Sequence, residues 1–312
     1  MEQEEKKNYY TTIADLENLA KDKYLEYLKQ GKITDILDAI AKFPNITIDN
    51  DILVLAQMPE ATKIDMKEVW EKKGRNLVES PKYINTIGLC IYKNDLGYTD
   101  SKGTTYLNGA DKLTTKINVL YDVSQTTGPE LPLDIDKEKL AKHFDSVKNS
   151  LEHTARGYKI VYDTIPEKSK IDFENKQIVI QNGIYLSEVM EELFDRVSTV
   201  LLNARKQVGL DDKNIKKLMH NAIVYTLRTK YDFDKPKYDF SEISKLTDDE
   251  MLKFKDNLQT VRSVVYQVSK NMENTIDIDI RKKERESQNQ NATDNNNYIS
   301  RTYEKQQERE VM

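Results

Sequence analysis

The sequence predicts an α+β fold: a helical lead with a small antiparallel sheet, then a second mixed region of strands and helices, then a polar tail. Three observations predict it. Apolar residues recur at helical spacing from residue 10 to residue 57. After Gly74 the pattern changes to short β-branched runs separated by Gly- and Asp-containing turns. From about Asp277, Gln, Asn, Glu, Arg and Lys displace the apolar positions, too polar a composition to offset the entropy of ordering.

Residues 10–30 make the first helix, capped by Thr11 or Thr12, with Leu16, Ala20, Tyr24 and Leu28 in its stripe and Gly31 at its end. A shorter helix buries Ile33, Ile36, Leu37 and Ile40 and ends before Pro44. Asn50 or Asp51 is expected to cap a third helix, Ile52 to Gln57, which Pro59 terminates. One or two turns surround Trp70. Strands follow at 76–78, 86–92, 104–107 and 116–123, so residues 1–128 read as one domain. Thr126-Thr127-Gly128-Pro129 and Pro132 mark a linker. A second domain, 129–276, has a helix over 136–155 and strands at 158–162, 170–173 and 176–180. Its further helices lie at 185–205, 212–230 and 247–272, the last with a Thr247/Glu250 capping box. Residues 277–312 read as a tail, disordered or weakly helical.

The totals exclude several classes. At 312 residues the chain has room for about two domains. A net charge of −5 means that any nucleic-acid site is a local patch and not a bulk property. The single cysteine, Cys90, excludes an internal disulfide and a cysteine-based zinc site, and it reads as a small strand residue. No apolar run approaches the roughly 18 residues of a membrane span, and the charged N-terminus is unlike a signal peptide. A soluble cytoplasmic protein with no membrane partner is expected.

One stretch carries a chemical question. Ile178-Val179-Ile180, the turn Gln181-Asn182-Gly183 and the helix from Tyr185 read as strand, turn and helix, with Glu191-Glu192-Leu193-Phe194-Asp195 inside the helix. A zinc protease carries H-E-x-x-H in such a place, two imidazoles one turn apart gripping the metal and the Glu acting as general base. Here both outer positions are acids and only Glu192 keeps its type.

Two separated segments resemble one family. Leu53-Val54-Leu55-Ala56-Gln57-Met58-Pro59-Glu60-Ala61-Thr62, then Trp70 and Lys73-Gly74-Arg75, then Val119-Leu120-Tyr121-Asp122-Val123-Ser124-Gln125-Thr126-Thr127-Gly128, look like the N-terminal domain of ArdC-type antirestriction proteins. Those proteins come from plasmids, phages and conjugative elements. The second half is similar to the family's zincin-like metallopeptidase domain, and the resemblance spans roughly residues 10–272. It implies a single-stranded-DNA-binding first domain. It also implies a metal site whose ligands would fall at Glu191, Asp195 and Asn221, none of which is the family's residue.

Three readings of these acids follow: surface acids on an amphipathic helix, an oxygen-ligand site for Mg²⁺, Mn²⁺ or Ca²⁺, or residual hydrolase activity. With the ligands altered, Glu192 is expected to be vestigial, no zinc or other cofactor is expected, and the second domain reads as a pseudo-peptidase leaning away from enzymatic function. Glu192 and Arg196 are also one turn apart and of opposite sign.

Single-strand binders stack bases on aromatic rings and hold phosphates with Lys or Arg. The residues placed to do so are Trp70, Lys72, Lys73, Arg75, Tyr92, Lys93, Tyr106 and Lys116. The expected partner is single-stranded DNA. A module that binds a host defence or conjugation protein without DNA, or an oxygen-ligand hydrolase, is the alternative.

Overall fold

The structure, a computed structural model, describes residues 12–92, 97–99, 105–107, 112–205 and 213–310, with side chains described outside 90–114 and 287–310. Three helices open the chain: α1 (Ile13–Lys29), α2 (Ile33–Lys42) and α3 (Ile48–Gln57). β1 (Ile64–Asp65), α4 (Lys67–Lys72) and β2 (Asn76–Leu77) lead to the long strand β3 (Ile84–Tyr92). β4 (Gly97–Thr99), β5 (Thr105–Leu107), β6 (Lys112–Asp122) and β7 (Thr126–Thr127) follow. Next come α5 (Lys137–Lys142), α6 (Phe144–Thr154), β8 (Lys159–Asp163), β9 (Ser169–Asp172) and β10 (Gln177–Gln181). α7 (Leu186–Asn203), α8 (Lys213–Lys230) and α9 (Asp248–Glu310) complete the order.

The chain forms two compact units. The first joins Met1–Asp134 to Gln207–Val265, and the second joins Ile135–Lys206 to Tyr266–Met312. This division differs from the boundary at 128 expected from linker composition and the one at 276 expected from the onset of polar sequence. The reason is long-range packing, which composition does not register. Within the first unit α8 packs on α2, and the phenol of Tyr24 on α1 donates to the Met251 carbonyl at 2.9 Å.

The centre of the first unit is an antiparallel sheet in the order β1-β6-β3. β3 and β6 pair from Ile84 opposite Leu120 to Tyr92 opposite Lys112. Helix α3 runs beside the outer edge of β3 and serves both faces of the sheet. Its Val54 joins Phe43, Met58, Ala61 and Ile84, with Ile46, Ile64 and Leu120 at the margin. Its Leu53 joins Leu16 and Ala20 of α1, with Ile87 and Ile117 against them. Asn50 and Asp51 are not its caps. Thr47 is, in extended backbone, with its hydroxyl accepting the Asn50 N–H at 3.3 Å. Starting the helix at Ile48 buries that side chain and frees the Asn50 amide for β3, a gain that local capping preference does not include.

In the second unit β8 and β10 are parallel and β9 is antiparallel to β10 on its other side. Lys176, at φ 51°, lies in the tight turn between β9 and β10. Buried Ile178 and Ile180 of β10 and Leu193, Phe194 and Val197 of α7 supply core. The single helix expected over 136–155 divides at His143, a buried residue whose Nδ1 lies 2.5 Å from Asp279 Oδ2. Core positions on α9 end at Ile276, where the polar composition begins, while its backbone stays helical to Glu310. Glu, Gln, Lys and Arg are good helix formers, so a segment without a core can still hold helical backbone.

Candidate nucleic-acid interface

The two motif segments of the first unit meet at Asp122. Its carboxylate accepts the backbone N–H groups of Thr62 at 2.7 Å, Lys63 at 2.9 Å and Ser124 at 2.9 Å. Burial pushes this carboxyl up, but the three N–H donors outweigh it and hold it below the ordinary Asp range. Trp70 donates its indole N–H to the Tyr121 carbonyl at 2.9 Å. Arg75 clamps the 126–129 segment: Nε donates to Thr126 Oγ1 at 2.8 Å, and the guanidinium also reaches the carbonyls of Thr126, Gly128 and Pro129. Gly128 is required here, since a Cβ would stand 2.6 Å from the Gly74 carbonyl oxygen. Most of the motif is therefore a joint that fixes local backbone.

The joint forms one wall of a cleft of about 690 Å³. Phe43, Ile46, Ile64 and Leu120 make an apolar floor, the edge of Trp70 makes a side, and Lys42, Lys63 and Lys73 stand at the rim. Each rim lysine has a partner. Lys42 donates to the Ala61 carbonyl at 3.2 Å, Lys63 pairs with Asp134 at 2.9 Å, and Lys73 pairs with Asp65 at 3.0 Å. Lys73 also lies 4.7 Å over the Trp70 ring. These ion pairs are solvent-exposed, of a kind that contributes about 0–1 kcal/mol, so a phosphate can displace them at small cost.

The residues expected to contact DNA divide into five groups. Trp70 and Lys73 line the cleft, and Lys116 is exposed two positions before its lining residue Asn118 on the same face of β6. Trp70 is 1% exposed, so its ring is a wall and not an open stacking face. Lys72 is exposed on α4 outside the lining, and Arg75 is committed to its clamp. Tyr92 and Tyr106 are described in backbone only, and Lys93 lies outside the described residues.

Sequence reasoning missed Asn118, Lys42 and Lys63. A signal for Asn118 exists: Gly88, a glycine inside a strand, marks a close approach. A Cβ on Gly88 would lie 2.2 Å from Asn118 Nδ2, so the glycine leaves the space in which the amide lies.

In the second unit, α7 carries Glu191, Glu192 and Asp195. Ser169 of β9 donates its hydroxyl to Glu192 Oε2, and Arg196 Nε donates to the same hydroxyl oxygen at 2.7 Å. The Arg196 guanidinium is also 3.7 Å from Glu192 and 3.2 Å from Asp195. Asn221 lies on α8, in the other unit. Among the described residues no group of three or more His, Cys, Asp or Glu is arranged to hold a metal ion.

No protein-family model matches the sequence, and no curated protein matches it. Solved structures do. The chain is similar to the antirestriction protein ArdC of plasmid R388. Its metal-free crystal structure matches at 10% identity and a TM-score of 0.47, covering 84% of this chain and 97% of that one. Its Mn(II)-bound structure matches at 10% identity and a TM-score of 0.48, covering 84% and 98%.

The manganese in that second structure overturns the expectation that no cofactor accompanies this chain. The Arg196 guanidinium pairs with Glu192 and Asp195, and the retained Glu192 is bonded to Ser169.

Proposed function

We propose that the first unit binds single-stranded DNA, with the phosphates on Lys63, Lys73 and Lys116 and a base in the apolar cleft between them. The observation that carries this reading is the pairing of an apolar floor with a rim of lysines on exposed, readily exchanged partners. Lysine charge holds backbone phosphates at such sites, and the apolar floor supplies the contact for a base. The antirestriction role belongs to the same reading and rests on the motif pair 53–62 and 119–128. The second unit acts in it without peptidase chemistry, because the carboxylate that would serve as general base is engaged by Ser169 and Arg196.

A fluorescence-anisotropy titration with a labelled single-stranded oligonucleotide tests it. Saturable binding that weakens with salt is expected. An absence of binding at low salt overturns the reading.

A further inference from the structure

Resting on that reading, we infer that residues 130–134 are an autoinhibitory strap: they hold the cleft in a neutral, self-occupied state, and single-stranded DNA binds by displacing them. Glu130, Leu131, Pro132 and Asp134 all line the cleft, and Leu131 is half-buried there. The Asp134 carboxylate lies 2.9 Å from Lys63 Nζ, where the proposed function puts a phosphate. Leu131 and Asp134 thus bring to the cleft an apolar group and an anion, the two chemistries that a nucleotide brings.

Charge makes the strap a competitor. Three lysines line the cleft, Lys42, Lys63 and Lys73, against three carboxylates, Asp65, Glu130 and Asp134. With the strap in place the lining is neutral and offers a polyanion little attraction. Two of the three carboxylates sit on the strap, so its departure leaves three lysines facing Asp65 alone. The hold on the strap is weak. Among the described residues no backbone N–H or C=O of residues 130–134 is hydrogen-bonded. The Lys63–Asp134 pair is open to solvent, with the acid's side chain 79% exposed, so it contributes little. Just before the strap, the Arg75 guanidinium holds the carbonyls of Gly128 and Pro129. The strap therefore starts from a fixed point and leaves the cleft without opening the joint.

The test measures binding of one labelled single-stranded oligonucleotide to the full chain and to three variants of it. Leu131→Ala separates a competitor from a wall. Removing a wall against which the base packs weakens binding, whereas removing a competitor tightens it, here by about threefold to tenfold for a half-buried Leu. Glu130→Gln combined with Asp134→Asn keeps the shape of the strap and removes both carboxylates. Binding at low salt is expected to tighten by about fivefold to twentyfold, the worth of one to two exposed acid–lysine contacts. Leu133→Ala alters the strap at a side chain that is 89% exposed and outside the lining, and no change is expected. Wild-type binding that Leu131→Ala or the double variant leaves unchanged or weakens overturns the inference and leaves DNA binding intact. Tightening by Leu133→Ala equal to that by Leu131→Ala also overturns it, because the cleft contact would then be irrelevant. Failure of the wild type and of every variant to bind overturns the DNA reading and the inference together.

Discussion

Gln57 of α3 and Asn85 of β3 exchange two hydrogen bonds, the side-chain amide donating to the Asn85 carbonyl at 2.8 Å and accepting its N–H at 3.0 Å. Two residues along the strand, Asn50 does the same with Ile87, at 2.9 and 2.8 Å. Asn85 and Ile87 are the positions whose backbone groups face away from β6. The two amides, seven residues apart on one helix, thus stand in for a missing neighbour strand and close an edge that would otherwise be open to another chain. Gln57→Ala is expected to destabilise the protein by about 1–3 kcal/mol, since it strands a buried N–H and C=O. Urea denaturation measures the loss, and faster hydrogen exchange at Asn85 than elsewhere on β3 locates it.

Asp122 provides a pH-dependent counterpart. Its carboxyl is held below the ordinary range in the fold, so its contribution is present above the unfolded value of about 3.9 and lost as pH falls through the lower folded value. Asp122→Ala leaves the N–H groups of Thr62, Lys63 and Ser124 without their acceptor. A loss of roughly 2–4 kcal/mol at neutral pH is expected, above the cost of one neutral bond because the acceptor is charged. Melting curves should show the gap between parent and variant closing below about pH 3.

Asp51 has the opposite sign. It is 0% exposed, and neither carboxylate oxygen has a hydrogen-bond partner among the described residues. Burial drives its carboxyl well above the ordinary range, and the charge of Arg262 opposes this only in part. A raised folded value means that the contribution is full below about pH 3.9 and lost as pH rises through the folded value. Asp51→Asn removes that titration. The variant is expected to melt higher than the parent at pH 8 and together with it near pH 3, a convergence that a purely steric effect would not produce.

The limits of the sequence follow from which contacts are local. Helix spacing and strand alternation depend on neighbours, so α1, α2, β3, β10 and α7 appear near their expected places. The start of α3 does not, because Thr47, Asn50 and Asp51 are all good caps and only Ile87, far along the chain, makes Asn50 more useful elsewhere. His143 ends α5 through contacts that include Asp279, which no window of the sequence could include. In the candidate site, Trp70, Lys73 and Lys116 were legible as aromatic and basic residues. Asn118 depends on Gly88, which is far away in sequence but across one strand pair in space. The Glu192–Arg196 pair follows from helical spacing, whereas Ser169 enters from a separate strand.

Salt dependence separates the lysines of the cleft. For single-stranded DNA the logarithm of affinity falls with the logarithm of salt at about 0.7 per phosphate neutralised. Lys116 is exposed without a carboxylate partner, so Lys116→Ala should reduce that slope by about 0.7. Lys63 is held by Asp134 at 2.9 Å and must exchange one anion for another, so Lys63→Ala should change the slope less. Removing the competitor has the reverse effect: Asp134→Asn frees Lys63, and binding at low salt should tighten by up to about fivefold, the worth of one exposed ion pair. Titrations of the three variants over a range of salt concentrations give slope and affinity together. Tighter binding in Asp134→Asn alongside a shallower slope in Lys116→Ala requires that both lysines face phosphate, since a surface that met DNA elsewhere would leave all three curves parallel to the parent.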